Sequence, residues 1–234
     1  MINKQLQEIK HALPQHANDE IAASKARYFK TGKGEYGEGT CFIGIKVPVL
    51  RTLSKAYRDA EIEVIETLLC SKIHEEKTLA LFIMCLQFTK NKNKQNSLYE
   101  LYIKHIAHVN NWDLVDCSAP TIVGKHLYGK DTSQLIAWAQ SKDMWERRIA
   151  IVATQTFIRK GSFAATCDLA ERLLKDKEDL IHKAVGWMLR EVGDQDVKVL
   201  EIFLDKHKHK MPRTMLRYAI EKFPEDKRKA YLKG

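Results

Sequence analysis

The sequence predicts an all-α fold, a stack of helix pairs, on three observations. Apolar residues recur at intervals of three and four along almost the whole chain, the period of a helix with one buried face. Glycine and proline are scarce, 11 and 5 in 234 residues, too few for the many turns of a sandwich or barrel. A pattern also repeats, a polar turn followed by a basic residue at the start of an apolar run. It appears in "SKIHEEKTLALFIM" from Ser71, "SKDMWERRIAIVAT" from Ser141, "KDKEDLIHKAVGWMLREV" from Lys175 and "DKHKHKMPRTMLRYAIEKF" from Asp205. Two helices in each period of roughly 30 to 40 residues describe a HEAT-like helical-repeat solenoid, expected here as a single domain over residues 1–234.

Element by element, Ile62–Leu69, Leu79–Phe88, Leu98–Ile106, Ile149–Phe157 and Val197–Leu204 read as helices. Polar or glycine-marked breaks lie at Asp59, Lys90–Asn96, Tyr128–Asp131, Lys160–Ser162 and Val192–Asp196. One stretch departs from the pattern. "GKGEYGEG", Gly32 to Gly39, holds G-x-G-x-x-G, but a dinucleotide loop needs a strand before it and a helix after it. Here "IAASKARYFK" before it reads as helix and "TCFIGIKVP" after it as extended chain. A short hairpin or loop insert near residues 32–46 is the better reading, with Lys33 and Tyr36 at its tip.

Composition bounds the function. The chain is 44% hydrophobic and 29% charged, as in a soluble globular protein. The net charge of +9 and a pI near 9.2 favour polyanionic partners, nucleic acid before membrane, over a charge that only keeps the protein in solution. "MINKQLQEIK" has no signal-peptide core, and the longest apolar run, Leu79 to Leu86, is too short to span a bilayer. The five cysteines, Cys41, Cys70, Cys85, Cys117 and Cys167, are odd in number and scattered. They read as reduced, mostly buried thiols of a cytoplasmic monomer, with no metal and no cofactor expected.

The repeat also positions charge. Lys77, Arg148, Lys183 and Arg213 fall at equivalent helix starts, although Lys77 aligns equally with Arg147. In a curved solenoid such residues form a basic stripe along a concave groove. Free N–H groups and the helix dipole there favour phosphates. The plainer reading is a set of solvated helix ends.

Two spots resist a purely structural account. In "NNWDLVDCSAP", Trp112 and Asp116 are four apart and share a helix face, while Asp113 points about 100° away and serves the first turn. In "KAVGWMLREVG", Gly186 leaves room for a close approach beside Trp187, and Arg190 and Glu191 follow one turn on. Trp138 and Trp145 have plain core explanations, and core is also the simpler account of Trp112 or Trp187 taken alone.

Together with "ARYFK" and "MWERRIAI", these two motifs make the chain resemble, over nearly its whole length, the AlkD-like HEAT-repeat DNA alkylation repair family of alkylpurine DNA glycosylases. The resemblance implies hydrolysis of the N-glycosidic bond of cationic N3- and N7-alkylated purines in double-stranded DNA, without obligatory base flipping. It puts the catalytic carboxylate on Asp116 and the active-site tryptophans on Trp112 and Trp187. The arginine that grips the DNA backbone falls on Arg148, and an aromatic beside the lesion on Tyr28. Lys77, Arg147, Lys183, Arg190 and Arg213 complete the expected DNA-binding set.

The residue types suit that chemistry independently. An N7-alkylpurine is already a good leaving group, so no strong general acid is needed. The sugar becomes oxocarbenium-like, and a fixed carboxylate with two indole faces stabilises positive charge. No four-cysteine metal pattern, nucleophile elbow or Schiff-base lysine competes with this set. The glycine-rich insert departs from the best-known members and matches relatives that look like binders of branched DNA. A protein-binding HEAT scaffold is the reading from a different class; it has no use for Asp116.

Overall fold

The computed structural model describes residues 2–233. It is all-helical, and the described residues hold no β-strand, only one parallel bridge between Cys41 and Ile73. The chain packs as two compact units that divide after Ser118.

The first unit contains α1 (Ile2–Ala12), α2 (Asp19–Tyr28), α3 (Val47–Ala56), α4 (Ile62–Leu69), α5 (His74–Lys90), α6 (Gln95–Lys104) and the start of α7 (Trp112–Ala119). Its centre is α5, against which α3, α4 and α6 pack. "LALFIM" is apolar on every side, and Leu79 to Met84 are all buried; a helix apolar all round has to sit inside. Each fully buried Leu or Ile of this kind contributes about 1.5–3 kcal/mol. The α4 prediction, Ile62–Leu69, holds to the residue, with Val64, Ile65, Leu68 and Leu69 inward. Asn18 caps α2 by accepting from the Ile21 N–H at 2.9 Å, a bond worth about 1 kcal/mol.

The insert is a folded loop of consecutive turns and not a hairpin. Its own acids close it: the Glu35 carboxylate accepts from the Gly32 N–H and the Glu38 carboxylate from the Gly34 N–H, each at 2.8 Å. Those amides are the ones a phosphate loop would need, and here the insert's own carboxylates occupy them. Downstream, Gly44 has φ +81° and lies so close to α2 that a Cβ would stand 2.0 Å from the Asn18 carbonyl oxygen. Only glycine meets both demands.

The second unit contains a π-helical turn at Pro120–Gly124, the short α8 (Lys125–Leu127), then α9 (Ser133–Ala139), α10 (Met144–Ala153), α11 (Gln155–Ile158) and α12 (Ala164–Arg172). It ends with α13 (Asp179–Gln195), α14 (Val197–His207), α15 (Arg213–Ala219) and α16 (Glu225–Lys233). Pro120 brings no N–H into the helix, and the turn widens there. The Thr156 hydroxyl donates to the Pro120 carbonyl at 2.5 Å. The centre is α13, with α10, α14 and α15 packed on it. The predicted helix Ile149–Phe157 is broken at Thr154 into α10 and α11. The cysteines are all free thiols, but Cys41 is exposed and the other four are half-buried, so the expectation of mostly buried thiols is corrected.

Candidate functional site

In the first unit, the start of α7 is held from several directions. Asn111 is fully buried and accepts from the Trp112 N–H at 2.8 Å. Asp113 does serve the first turn: one carboxylate oxygen accepts from the Leu114 N–H at 2.9 Å. The other accepts from His74 Nε2 at 2.8 Å, tying α7 to the first residue of α5.

Trp112 stands in a column of rings. Phe29 stacks on it at 5.1 Å and 22°, and Phe42 stacks on Phe29 at 5.2 Å and 22°. His74 closes the column against Phe42 at 4.6 Å. Tyr28 meets Trp112 edge-on at 5.9 Å while remaining 66% exposed. Offset and edge-on pairs like these add about 0.5–1.5 kcal/mol each and hold the indole plane in place. Of this cluster the sequence pointed to Tyr28 and Trp112. Phe29 and Phe42 were legible only as apolar residues flanking the insert, and His74 only as a polar residue at a helix start.

Asp116 lies one turn beyond Trp112 and is half-buried, as Trp112 is. The Tyr102 phenol and the Cys117 thiol are among the ionisable groups near it. Burial pushes the Tyr102 phenol well up, and its hydroxyl pairs with Ser118 at 3.1 Å. Burial likewise holds the Cys117 thiol well above its ordinary value, with the negative charge of Cys85, Asp113 and Asp116 adding to it.

In the second unit, Trp187 is half-buried on α13 and its indole N–H donates to Glu191 at 3.2 Å, one turn on. Gln155 donates to the other oxygen of Glu191 at 3.4 Å, so Glu191 orients the ring. The room at Gly186 is taken by α15: a Cβ there would stand 2.5 Å from the Met215 carbonyl oxygen and 2.5 Å from Tyr218 Cβ. The close approach is that of a helix.

The basic residues are placed unevenly. All four repeat cations stand within the first five residues of α5, α10, α13 and α15. Their exposure does not form the expected open stripe. Lys77 is buried and donates to Asn110 Oδ1 at 2.9 Å, and burial lowers its pKa. Arg148 is buried and donates to the Leu180 carbonyl. Arg147 clasps Asp176 through two nitrogens, at 2.6 and 3.2 Å, and also donates to the Ser141 and Lys142 carbonyls. Lys183 pairs with Asp179 at 2.8 Å on the α13 surface, and Arg190 with Glu221. Arg213 is exposed and donates to the Leu232 carbonyl at 2.7 Å.

A group of metal-ligand types lies elsewhere in the first unit, formed by Cys70, His105 and His108. No helix among the described residues is long and apolar enough to cross a membrane.

The model of a family described as DNA alkylation repair enzyme matches residues 9–223. A solved structure described as a predicted DNA alkylation repair enzyme from Enterococcus faecalis has a similar fold. Its TM-score is 0.68 over 90% of this chain and 98% of that one, at 18% identity; at that identity the likeness bears on the fold alone. No curated protein matches the chain.

Proposed function

The chain belongs to the DNA alkylation repair enzyme family, and from that premise we propose that it is a monofunctional DNA glycosylase releasing cationic N3- and N7-alkylated purines from duplex DNA. The observation that carries the reading is the braced start of α7. Trp112 is stacked by Phe29 and met edge-on by Tyr28, with Asp116 one turn away. An indole fixed in this way presents its electron-rich face to a cation without first losing rotamer freedom.

In this reading Asp116 stabilises the sugar as its C1′–N bond breaks and the neutral alkylated base departs. Water then supplies the hydroxyl that completes hydrolysis. Trp112 and Trp187 offer ring faces to positive charge, and Tyr28 lies against the lesion. The lesion's own charge replaces a general acid, so the reading asks for no proton donor and no cofactor.

The test is release of free base from a duplex carrying one N7-methylguanine. Wild type should release it, and Asp116→Asn should lower the rate about tenfold or more, a loss of about 1.4 kcal/mol or more in the transition state. Release no faster than the spontaneous rate, with duplex binding intact, ends the glycosylase reading. A second reading, recognition of branched DNA without catalysis, is favoured by one observation. The folded insert places Tyr36 against the Tyr28 carbonyl at 3.5 Å, beside the exposed ring expected to meet DNA. Preference for a four-way junction over a plain duplex would support it.

A further inference from the structure

Cys70, His105 and His108 converge in the first unit although 35 residues separate Cys70 from His105. Cys70 is the C-cap residue just after α4 and His105 the one just after α6. His108 closes the 3-10 turn Ile106–His108. The backbone N–H of Cys70 bonds Glu66 O at 3.0 Å and that of His105 bonds Leu101 O at 3.1 Å, so both side chains start from rigid helix ends. The three ligand atoms all lie within 4.8 Å of one another, and Cys70 Sγ is 3.2 Å from His105 Nδ1. All three residues are half-buried, sheltered but reachable.

We propose that these three side chains form a binding site for one zinc-type divalent ion, with a fourth position open to solvent. A tetrahedral ion bound at about 2.3 Å from sulfur and 2.0–2.1 Å from nitrogen holds its ligand atoms about 3.3–3.7 Å apart. The observed spread is closed by side-chain movements of about 1 Å. One thiolate and two imidazoles suit a borderline-soft ion better than magnesium or calcium, which take oxygen ligands.

The surroundings strengthen the assignment. His105 Nε2 donates to Glu66 Oε1 at 2.6 Å. That bond fixes the proton on Nε2 and leaves the lone pair of Nδ1 directed at the cysteine, the carboxylate–histidine arrangement that orients imidazole ligands for metals. Two helix C-termini, those of α4 and α6, point their negative dipole ends at the cluster. Lys104 pairs with Glu66 at 2.7 Å, and Lys77 donates to Asn110 at 2.9 Å. The Cys70 thiolate supplies one negative charge to the ion, and the Glu66 carboxylate is shared between His105 and Lys104. The sequence hid the site, because the cysteines show no metal spacing among themselves and the H-x-x-H of His105 and His108 is a weak signal alone.

The test uses the full chain without a polyhistidine tag. Titration with Co2+ should raise a thiolate-to-cobalt charge-transfer band at one ion per chain, and Zn2+ should displace it. Cys70→Ala should abolish the band, and His108→Gln should weaken Co2+ binding at least tenfold. Zn2+ should also slow iodoacetamide alkylation of Cys70 at least tenfold, read peptide by peptide, with Cys41 and Cys167 unaffected. No band in wild type overturns the proposal. So does a band that survives Cys70→Ala, or alkylation of Cys70 indifferent to Zn2+. Should Cys70→Ala fail to fold, unchanged affinity in His108→Gln, which alters only a half-buried ring on a short turn, decides against the site as well.

Discussion

Glu75 shows how one side chain fixes the neighbourhood of the candidate site. It is fully buried at the second position of α5, where the helix dipole favours a negative charge. Its carboxylate accepts from the N–H groups of Ile43, Gly44 and Ile45 at 3.0, 3.1 and 3.3 Å. It also accepts from Lys25 at 2.9 Å, and Lys25 in turn donates to the Ile45 carbonyl at 2.6 Å. This clamp sets the chain leaving the insert and so places Phe42 in the ring column. Removing the carboxylate strands three amides and takes from Lys25 its charged partner. Glu75→Ala should therefore cost about 3–5 kcal/mol, measured by urea unfolding, and should change Trp112 fluorescence before the main transition. A loss below about 1 kcal/mol would mean the clamp is not what orders the insert. In the sequence Glu75 is merely one acid of "HEEK"; its partners lie 30 to 50 residues upstream, and no local pattern announces them.

At the scale of elements, the α13–α15 contact is where a local and a tertiary preference conflict. Alanine is the better helix former by about 1 kcal/mol, yet a Cβ at Gly186 meets backbone of α15 at 2.5 Å. Backbone cannot yield, so the helices must part. Gly186→Ala should destabilise by about 1–3 kcal/mol. Gly193→Ala, on the same helix, would meet the end of the Leu200 side chain at 2.4 Å. That side chain can rotate away, so this change should cost less than half as much. Equal unfolding midpoints for the two variants would refute the distinction. Helices were the legible part of this fold because their signal is local: α4 was read to the residue, and Asp113 was read correctly as the acid of α7's first turn. Gly186 was legible as a point of close approach, but whether a ligand or a helix approaches depends on α15, which the glycine's own sequence does not encode. The Trp112–Asp116 face was legible for the same local reason. Its bracing by Phe29, itself stacked on Phe42, was not, since that contact arises only through the fold.

Charge is a property of the whole molecule, and it is shared unequally. Residues 1–118 hold 16 of the 39 basic and 14 of the 30 acidic side chains, leaving 23 and 16, a net +7, for residues 119–234. If that charge serves a phosphate backbone, the logarithm of duplex affinity should fall linearly with the logarithm of salt concentration, and the slope should count the phosphates engaged. Position in the repeat does not say which cations contribute, because register ignores burial. Arg147 is 14% exposed and its partner Asp176 only 5%, so this pair is an internal clasp whose loss is paid in stability. Lys183 and Asp179 are 40% and 57% exposed; such a pair is worth about 0–1 kcal/mol and yields readily to a phosphate. Lys183→Gln should therefore reduce the salt slope by about one while leaving the unfolding midpoint nearly unchanged. Arg147→Gln should do the opposite, lowering the midpoint and keeping the slope. The reverse outcome would place Arg147 on the DNA and make Lys183 an ordinary solvated helix end.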